Sequence, residues 1–152
     1  MKMETFDWFY TPTVKKHFFK PKNAWIKDTP PKGYDAHGFY GSMKCGDKME
    51  MWIKVKKDKI KDLKWRTFGC TSAIASTSML STMVLEKGGM TLQKALKITP
   101  MDIVKRLGGL PALKIHCSIM GDKALRAAIY DYKIKNNRED IKVEKPVEEE
   151  GH

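Results

Sequence analysis

Five residues of this 152-residue chain combine side chains and placement suited to soft-metal or sulfur chemistry: Cys45, Asp47, Cys70, His116 and Cys117. The segment from Ser118 to Lys135 reads as a helix, which puts Cys117 near a helix N-terminus. Unpaired N–H groups and the helix dipole there favour a thiolate, the form of cysteine that binds metal and attacks sulfur. Each residue alone is a weak signal. A lone cysteine is most often a small buried hydrophobe, a lone histidine a surface or structural residue, and an aspartate after glycine a turn residue. The cysteines, however, share one placement. Each falls in a loop or at the start of a predicted helix, and none in mid-strand or mid-helix. Core cysteines would scatter over apolar faces, so the shared placement points to one metal or sulfur site.

The elements that must position these residues are legible around them. Thr5 to Phe19 has an aromatic helical spacing, with Thr11 and Pro12 suited to cap and begin a helix. Lys20 to Asn23 breaks it, and residues 27–35 read as a loop. Ala36 to Lys44 is a short candidate strand, and Cys45-Gly46-Asp47 a turn. Met49, Met51, Ile53 and Val55 alternate with Glu50, Trp52, Lys54 and Lys56, the period of a strand with one buried face. The chain turns at Lys57-Asp58-Lys59 and returns as a strand over Ile60 to Phe68, making an antiparallel meander. A helix from Ser72 to Lys87, rich in small residues, is closed by Gly88 and Gly89. Small residues in its first turn suit either close ligand approach or tight packing. A short helix over Thr91 to Lys97 follows, then one capped by Thr99, begun by Pro100 and ended by Gly108-Gly109. Residues 1–137 read as one domain, and 138–152 as a charged, flexible tail.

Bulk properties narrow the function. A chain that is 41% hydrophobic and 31% charged is globular rather than disordered. No apolar run nears the ~18 residues of a membrane span, and the first residues lack a signal-peptide core. The expected location is cytoplasmic, where thiols stay reduced. An odd cysteine count without C-x-x-C spacing argues against a disulfide framework. The net charge of +11 is uneven, because the tail from Asp140 carries five acids against two lysines. A basic body suits nucleic acid or an acidic partner, but lysines spread along a chain usually form a solvated surface.

Three segments then carry a specific likeness. Cys45-Gly-Asp47, Gly69-Cys-Thr-Ser-Ala-Ile-Ala-Ser-Thr-Ser78 and Leu110-Pro-Ala-Leu-Lys-Ile-His-Cys-Ser118 closely resemble, in order and spacing, the signature blocks of the IscU family of iron–sulfur cluster assembly scaffolds, which also matches the N-terminal domain of NifU. Val14 to Asn23 is similar to that family's N-terminal helix and following turn. The resemblance covers about residues 8–135. It implies an α+β fold of the SufE/NifU-like kind, with a three-stranded antiparallel sheet, helices packed on one face and the metal site at loop and helix ends.

The resemblance also implies roles. Cys45, Cys70 and Cys117 would be cluster ligands, with Asp47 or His116 in the fourth position. Sulfur would come from a cysteine desulfurase of the IscS/NifS type, accepted first by Cys117 and second by Cys45. The cargo would be a [2Fe-2S] cluster built from iron and passed to apo iron–sulfur proteins. Leu110, Pro111 and Lys114 lie in the block that helper proteins recognise in this family. Ala112 replaces the second proline of that block, which weakens the case for an Hsp70-type chaperone. Thr71 stands where glycine is usual, and Lys20 and Lys22 flank Pro21 in place of Asn and Arg.

Chemistry independent of the likeness agrees. A [2Fe-2S] cluster takes four ligands, usually thiolates. Three cysteines leave one position to oxygen or nitrogen, poorer partners for such a cluster. That incomplete set suits assembly and release rather than permanent electron transfer, and a scaffold rather than an enzyme. The runner-up is a zinc-holding, SufU-type sulfur acceptor using the same residues tetrahedrally; His116, which that branch lacks, argues against it. A third reading is a nucleic-acid module built on the Lys54–Arg66 hairpin with Trp52 and Trp65. The inward position predicted for Trp65 disfavours it.

Overall fold

The computed structural model describes residues 10–42, 47–110 and 120–146. The alternating segment becomes the middle strand of a three-stranded antiparallel sheet, formed by β1 (Ala36–Ser42), β2 (Asp47–Lys56) and β3 (Lys59–Thr67) in the order β1-β2-β3. Met49, Met51, Ile53 and Leu63 are completely buried on one face, as the period-two pattern requires. A bulge between Lys54 and Val55 bends β2 just before the hairpin. The turn residues Lys57 and Asp58 both have positive φ, 53° and 60°, the conformation of a tight hairpin that matches strand twist.

The first described helix, α1, spans Pro12–Phe19, with the Thr11 side chain accepting from the Val14 N–H and Pro12 in the first turn. Thr11 is extended and caps this helix, as its pairing with Pro12 suggested, so the helical spacing read from Thr5 does not run unbroken through Thr11. Phe6, Trp8 and Phe9 lie outside the described residues. After a left-handed Asn23 (φ 64°), the chain pairs briefly with the β3 edge through Trp25 N–H to Trp65 O at 2.7 Å.

Helix α2 (Thr71–Leu85) is the internal element. It is buried nearly all round, including Ser72, Ser76, Thr77, Ser78 and Ser81. Its hydroxyls are satisfied locally or by neighbours: Thr77 donates to Ala73 O, Thr82 to Ser78 O, and Ser81 to Ser78 O or Lys22 O. Within the described structure the small residues serve close packing. The helix ends at Leu85, followed by a 3-10 turn, Glu86–Gly88. Helix α3 (Leu92–Ala95) is short, and α4 (Pro100–Leu107) carries a capping box between Thr99 and Asp102 and ends on left-handed Gly108.

Helix α5 (Gly121–Lys135) packs on the buried sheet face, across β1 and β2. Gly38 permits this: a Cβ there would lie 2.2 Å from Ala124 O and 2.4 Å from Ala128 N. Both α5 and α2 lie on the side of Met51 and Trp65, so the expected layering is observed. Beyond α5 the chain keeps packing. Arg138 binds Asp58, Ile141 is buried and Val143 is half-buried, so residues 138–143 of the expected flexible tail pack against the domain. Among the described residues no helix is long and apolar enough to cross a membrane.

Candidate metal centre

Cys70 is the candidate ligand whose surroundings are described. It is half-buried at the N-cap of α2, with an extended backbone (φ −80°, ψ −177°), and its carbonyl accepts the first helical bond, from the Ile74 N–H at 3.0 Å. Its side chain makes no capping bond. The cap position therefore holds a thiol at the mouth of a 15-residue helix, where a hydroxyl or carboxylate would ordinarily satisfy the first amides.

The connection from β3 to Cys70 is tied to the start of β2. The Thr67 hydroxyl donates to Lys48 O at 2.5 Å and accepts from the Gly69 N–H at 3.0 Å. Asp47, the first residue of β2 and paired with Ser42, thus stands at the same end of the sheet as Cys70. Cys45 falls in the chain between those paired residues, and outside the described ones.

The third block is flanked by fixed points. The Thr11 hydroxyl donates to Leu107 O at 2.5 Å, and the adjacent Tyr10 hydroxyl lies 3.4 Å from Ser72 Oγ in the first turn of α2. A Cβ at Gly108 would lie 3.4 Å from Thr11 Cγ2, and the Thr11–Leu107 bond draws the end of α4 toward the cysteine-bearing end of α2. Leu110 is half-buried against the core, so part of its surface is committed to packing. On the other side Met120 is buried, and Gly121 sits so close to α2 that a Cβ would meet Leu80 Cδ2 at 2.8 Å. Pro111, Lys114, His116 and Cys117 lie outside the described residues.

Helix α5 is described from Gly121, with Met120 at its N-cap; Ser118, where the sequence suggested its start, lies outside the described residues. Cys117, three positions before the N-cap Met120, lies outside the described residues, and the dipole effect expected on its thiol stays an expectation. Among the described residues no group of three metal-binding side chains comes together.

Two features were not anticipated. Asp122, in the first turn of α5, is only 3% exposed, and its Oδ1 has no hydrogen-bond partner among the described residues. Lys123 Nζ is 3.7 Å from that oxygen. Burial pushes the carboxyl pKa up, against the pull of Lys123 and Arg126. In sequence this residue looks like an ordinary acid favoured by a helix N-terminus. The second feature is a groove of about 340 Å³ beside the Cys70 connection, lined by Trp25, Ile26, Trp65, Phe68 and Ile74. Ile26 and Phe68 are 93% and 83% exposed at its rim. An apolar residue two positions before a candidate ligand was the available signal.

Neither tryptophan of the hairpin offers a base-stacking surface, Trp65 on the inner sheet face or Trp52 on the outer. Trp65 is 2% exposed and Trp52 5%; the His37 ring and the Arg66 guanidinium lie 5.3 and 5.2 Å from the Trp52 ring. Glu50 binds both His37 Nε2 (2.9 Å) and Arg66 Nε (3.0 Å). Burial would raise the Glu50 pKa, but these bonds outweigh it and hold the carboxyl below its usual range. The nucleic-acid reading thus loses its aromatic platform.

Comparison with known proteins places this geometry. The family described as NifU-like N terminal domain matches residues 9–139. The chain is 44% identical over 132 residues to an iron–sulfur cluster assembly scaffold protein IscU of Archaeoglobus fulgidus, covering 86% of this chain and 81% of that one. It is 43% identical over 133 residues to the corresponding protein of Aquifex aeolicus, covering 85% and 79%. It is 49% identical over 130 residues to the nitrogen fixation protein NifU of Trichormus azollae, covering 83% of this chain and 42% of that one. The chain thus spans about two fifths of the length of such NifU relatives. Among solved structures, a NifU-like N-terminal protein of Brucella abortus superposes with TM-score 0.62 at 17% identity, covering 86% and 98%. A candidate SUF-system scaffold of Fervidobacterium islandicum gives 0.56 at 18%, covering 79% and 96%. These two speak to the fold alone.

Proposed function

We propose that this chain, which belongs to the NifU-like N terminal domain family, is a scaffold on which an iron–sulfur cluster is assembled and from which it is handed on. The observation that carries this is Cys70: a half-buried thiol replaces the usual polar cap of α2, clasped to the strand that begins at Asp47. Relatives named as assembly scaffolds share more than two fifths of its residues over most of both chains.

In this reading Cys45, Cys70 and Cys117 supply thiolates, and Asp47 or His116 completes the set. Sulfur arrives as a persulfide on a cysteine desulfurase. A scaffold thiolate, Cys117 before Cys45, attacks the terminal sulfur; a new S–S bond forms on the scaffold and the desulfurase thiolate leaves. Reducing that sulfur to sulfide takes two electrons from an external reductant. A [2Fe-2S] cargo held by three thiolates and one oxygen or nitrogen ligand is bound less firmly than by four thiolates, which favours transfer to apo iron–sulfur proteins. The chain works as a platform, not a turnover catalyst. Recognition through Leu110, Pro111 and Lys114 by an Hsp70-type chaperone is a weaker part of the proposal, given Ala112.

The deciding experiment is anaerobic reconstitution with ferrous iron, cysteine and a cysteine desulfurase. It is followed by visible absorption and by iron, sulfide and zinc analysis. A coloured species containing iron and sulfide that moves to apo-ferredoxin is the expected result. Tightly held zinc, with no colour after chelation and refilling, would replace the scaffold by a sulfur acceptor.

A further inference from the structure

The end of the sheet remote from Cys70 carries a cluster of lysines with no described role. Lys56, Lys57, Lys59 and Lys61 by themselves line a hollow of about 280 Å³ at the β2–β3 hairpin. Lys59 also lines a second hollow of about 340 Å³, with Lys87 and Lys94 at its rim and Met83 and Met90 among its walls. None of these six ammonium groups forms an ion pair with a described carboxylate. The acids nearest them are already taken. Asp58 is held by Arg138 through two bonds (2.7 and 2.9 Å), and Glu86 by Arg106 through two (2.9 and 3.0 Å).

The lysines are mounted on a stiff frame. The Ile60 N–H donates to Met90 O at 2.8 Å, the Leu92 N–H to Asp58 O at 2.9 Å, and Lys61 Nζ to Gly88 O at 2.8 Å. Lys57 and Lys87 both hold left-handed backbone (φ 53° and 55°), which non-glycine residues adopt only where surroundings impose it. At ~3.3 Å per strand residue, β2 sets this pole roughly 30 Å from Asp47.

We infer that this pole is a docking surface for an acidic protein partner whose acidic side chains flank an apolar one, and that such a partner leaves the cysteine end open. Charge complementarity supplies the acidic requirement. The methionine-walled hollow supplies the apolar one, since Met adapts to varied side chains. Nucleic acid fits less well. The arginines at this pole are spent on Asp58 and Glu86, and lysine lacks the planar fork that grips phosphate. The tryptophans that could stack bases are buried. The inference does not depend on the scaffold reading.

The test uses the full chain, labelled for NMR and titrated with a synthetic peptide of mixed Glu and Leu, and in parallel with single-stranded DNA of equal charge. Each titration is run at about 50 mM and about 300 mM salt, where screening differs strongly. The expected result is amide shifts confined to residues 56–61 and 87–94. Peptide affinity should exceed that for DNA, and should fall at least about tenfold in K56Q/K57Q/K59Q, a chain whose unchanged melting would show it folded. Shifts at the Cys70 end, an unaffected triple variant, or DNA binding as tight as the peptide's would each overturn the assignment.

Discussion

His17 Nδ1 lies 2.7 Å from Ser78 Oγ and so joins α1 to the middle of α2. The same hydroxyl oxygen accepts from the Lys22 N–H at 2.8 Å, fixing the turn that follows α1. Burial, and then the positive charges of Lys16, Lys22 and Arg106, hold the imidazole pKa below its ordinary 6.5. The folded state resists a proton that the unfolded chain accepts. Stability should therefore fall as pH drops below 6.5, and level off under the folded-state pKa. Thermal melts between pH 7.5 and 5 should show this slope in the parent chain and a shallower one in His17→Gln. Equal slopes would remove His17 as the cause.

Asp122 should make the opposite contribution. Its carboxyl pKa is raised by burial, so the folded state binds a proton more readily than the unfolded chain, and rising pH costs stability. Asp122→Asn removes the buried charge and should stabilise the apo protein by about 1 kcal/mol at pH 7. Denaturant unfolding at pH 7 and pH 4 measures this; the gain should shrink at the lower pH. A destabilised variant would mean that the carboxylate is satisfied at this site.

Gly38 tests the contact between sheet and helix. A methyl group there runs into the Ala124 carbonyl and the Ala128 amide, which are backbone and cannot rotate away. Gly38→Ala should cost about 2–3 kcal/mol, at the upper end of the range for overpacked sites. Gly88→Ala is the control: its Cβ meets nothing within 4 Å, so its cost comes from positive φ alone and should be smaller. Equal losses would show that α5 shifts readily.

The site is separable from the fold. Cys70 is half-buried at a helix cap, so Cys70→Ser should change apo stability by less than about 1 kcal/mol. The same variant should form no lasting iron–sulfide chromophore on reconstitution. Asp47→Ala and His116→Ala should differ in the rate of transfer to apo-ferredoxin, and the altered one identifies the fourth ligand. Full cluster retention in Cys70→Ser would exclude that cysteine as a ligand.

What was legible in the sequence were patterns whose cause is local. The alternation from Met49 to Val55 marked β2 because one face is fully buried. Thr99 and Pro100 marked the start of α4 because the cap and the proline ring act within one turn. Features set by distant contacts were not legible. The described start of α5 lies where Gly121 comes so close to α2 that a Cβ would meet Leu80 and Thr77, three positions after Ser118. The hydroxyl-rich run in α2 allowed ligand approach or packing, and only the neighbours decide between them. Of the candidate ligands, Cys70 is placed with its surroundings and Asp47 by its strand pairing; the other three rest on chain order and family likeness.

Thr67 has a further consequence. Its one hydroxyl both donates to β2 and accepts from the chain leading to Cys70, so it acts as a gauge block between two candidate ligand positions that belong to different segments. The separation of the Asp47 and Cys70 backbones is then set through β2, Thr67 and Gly69. Loss of this single side chain removes both bonds at once and leaves that spacing without its fixed stop.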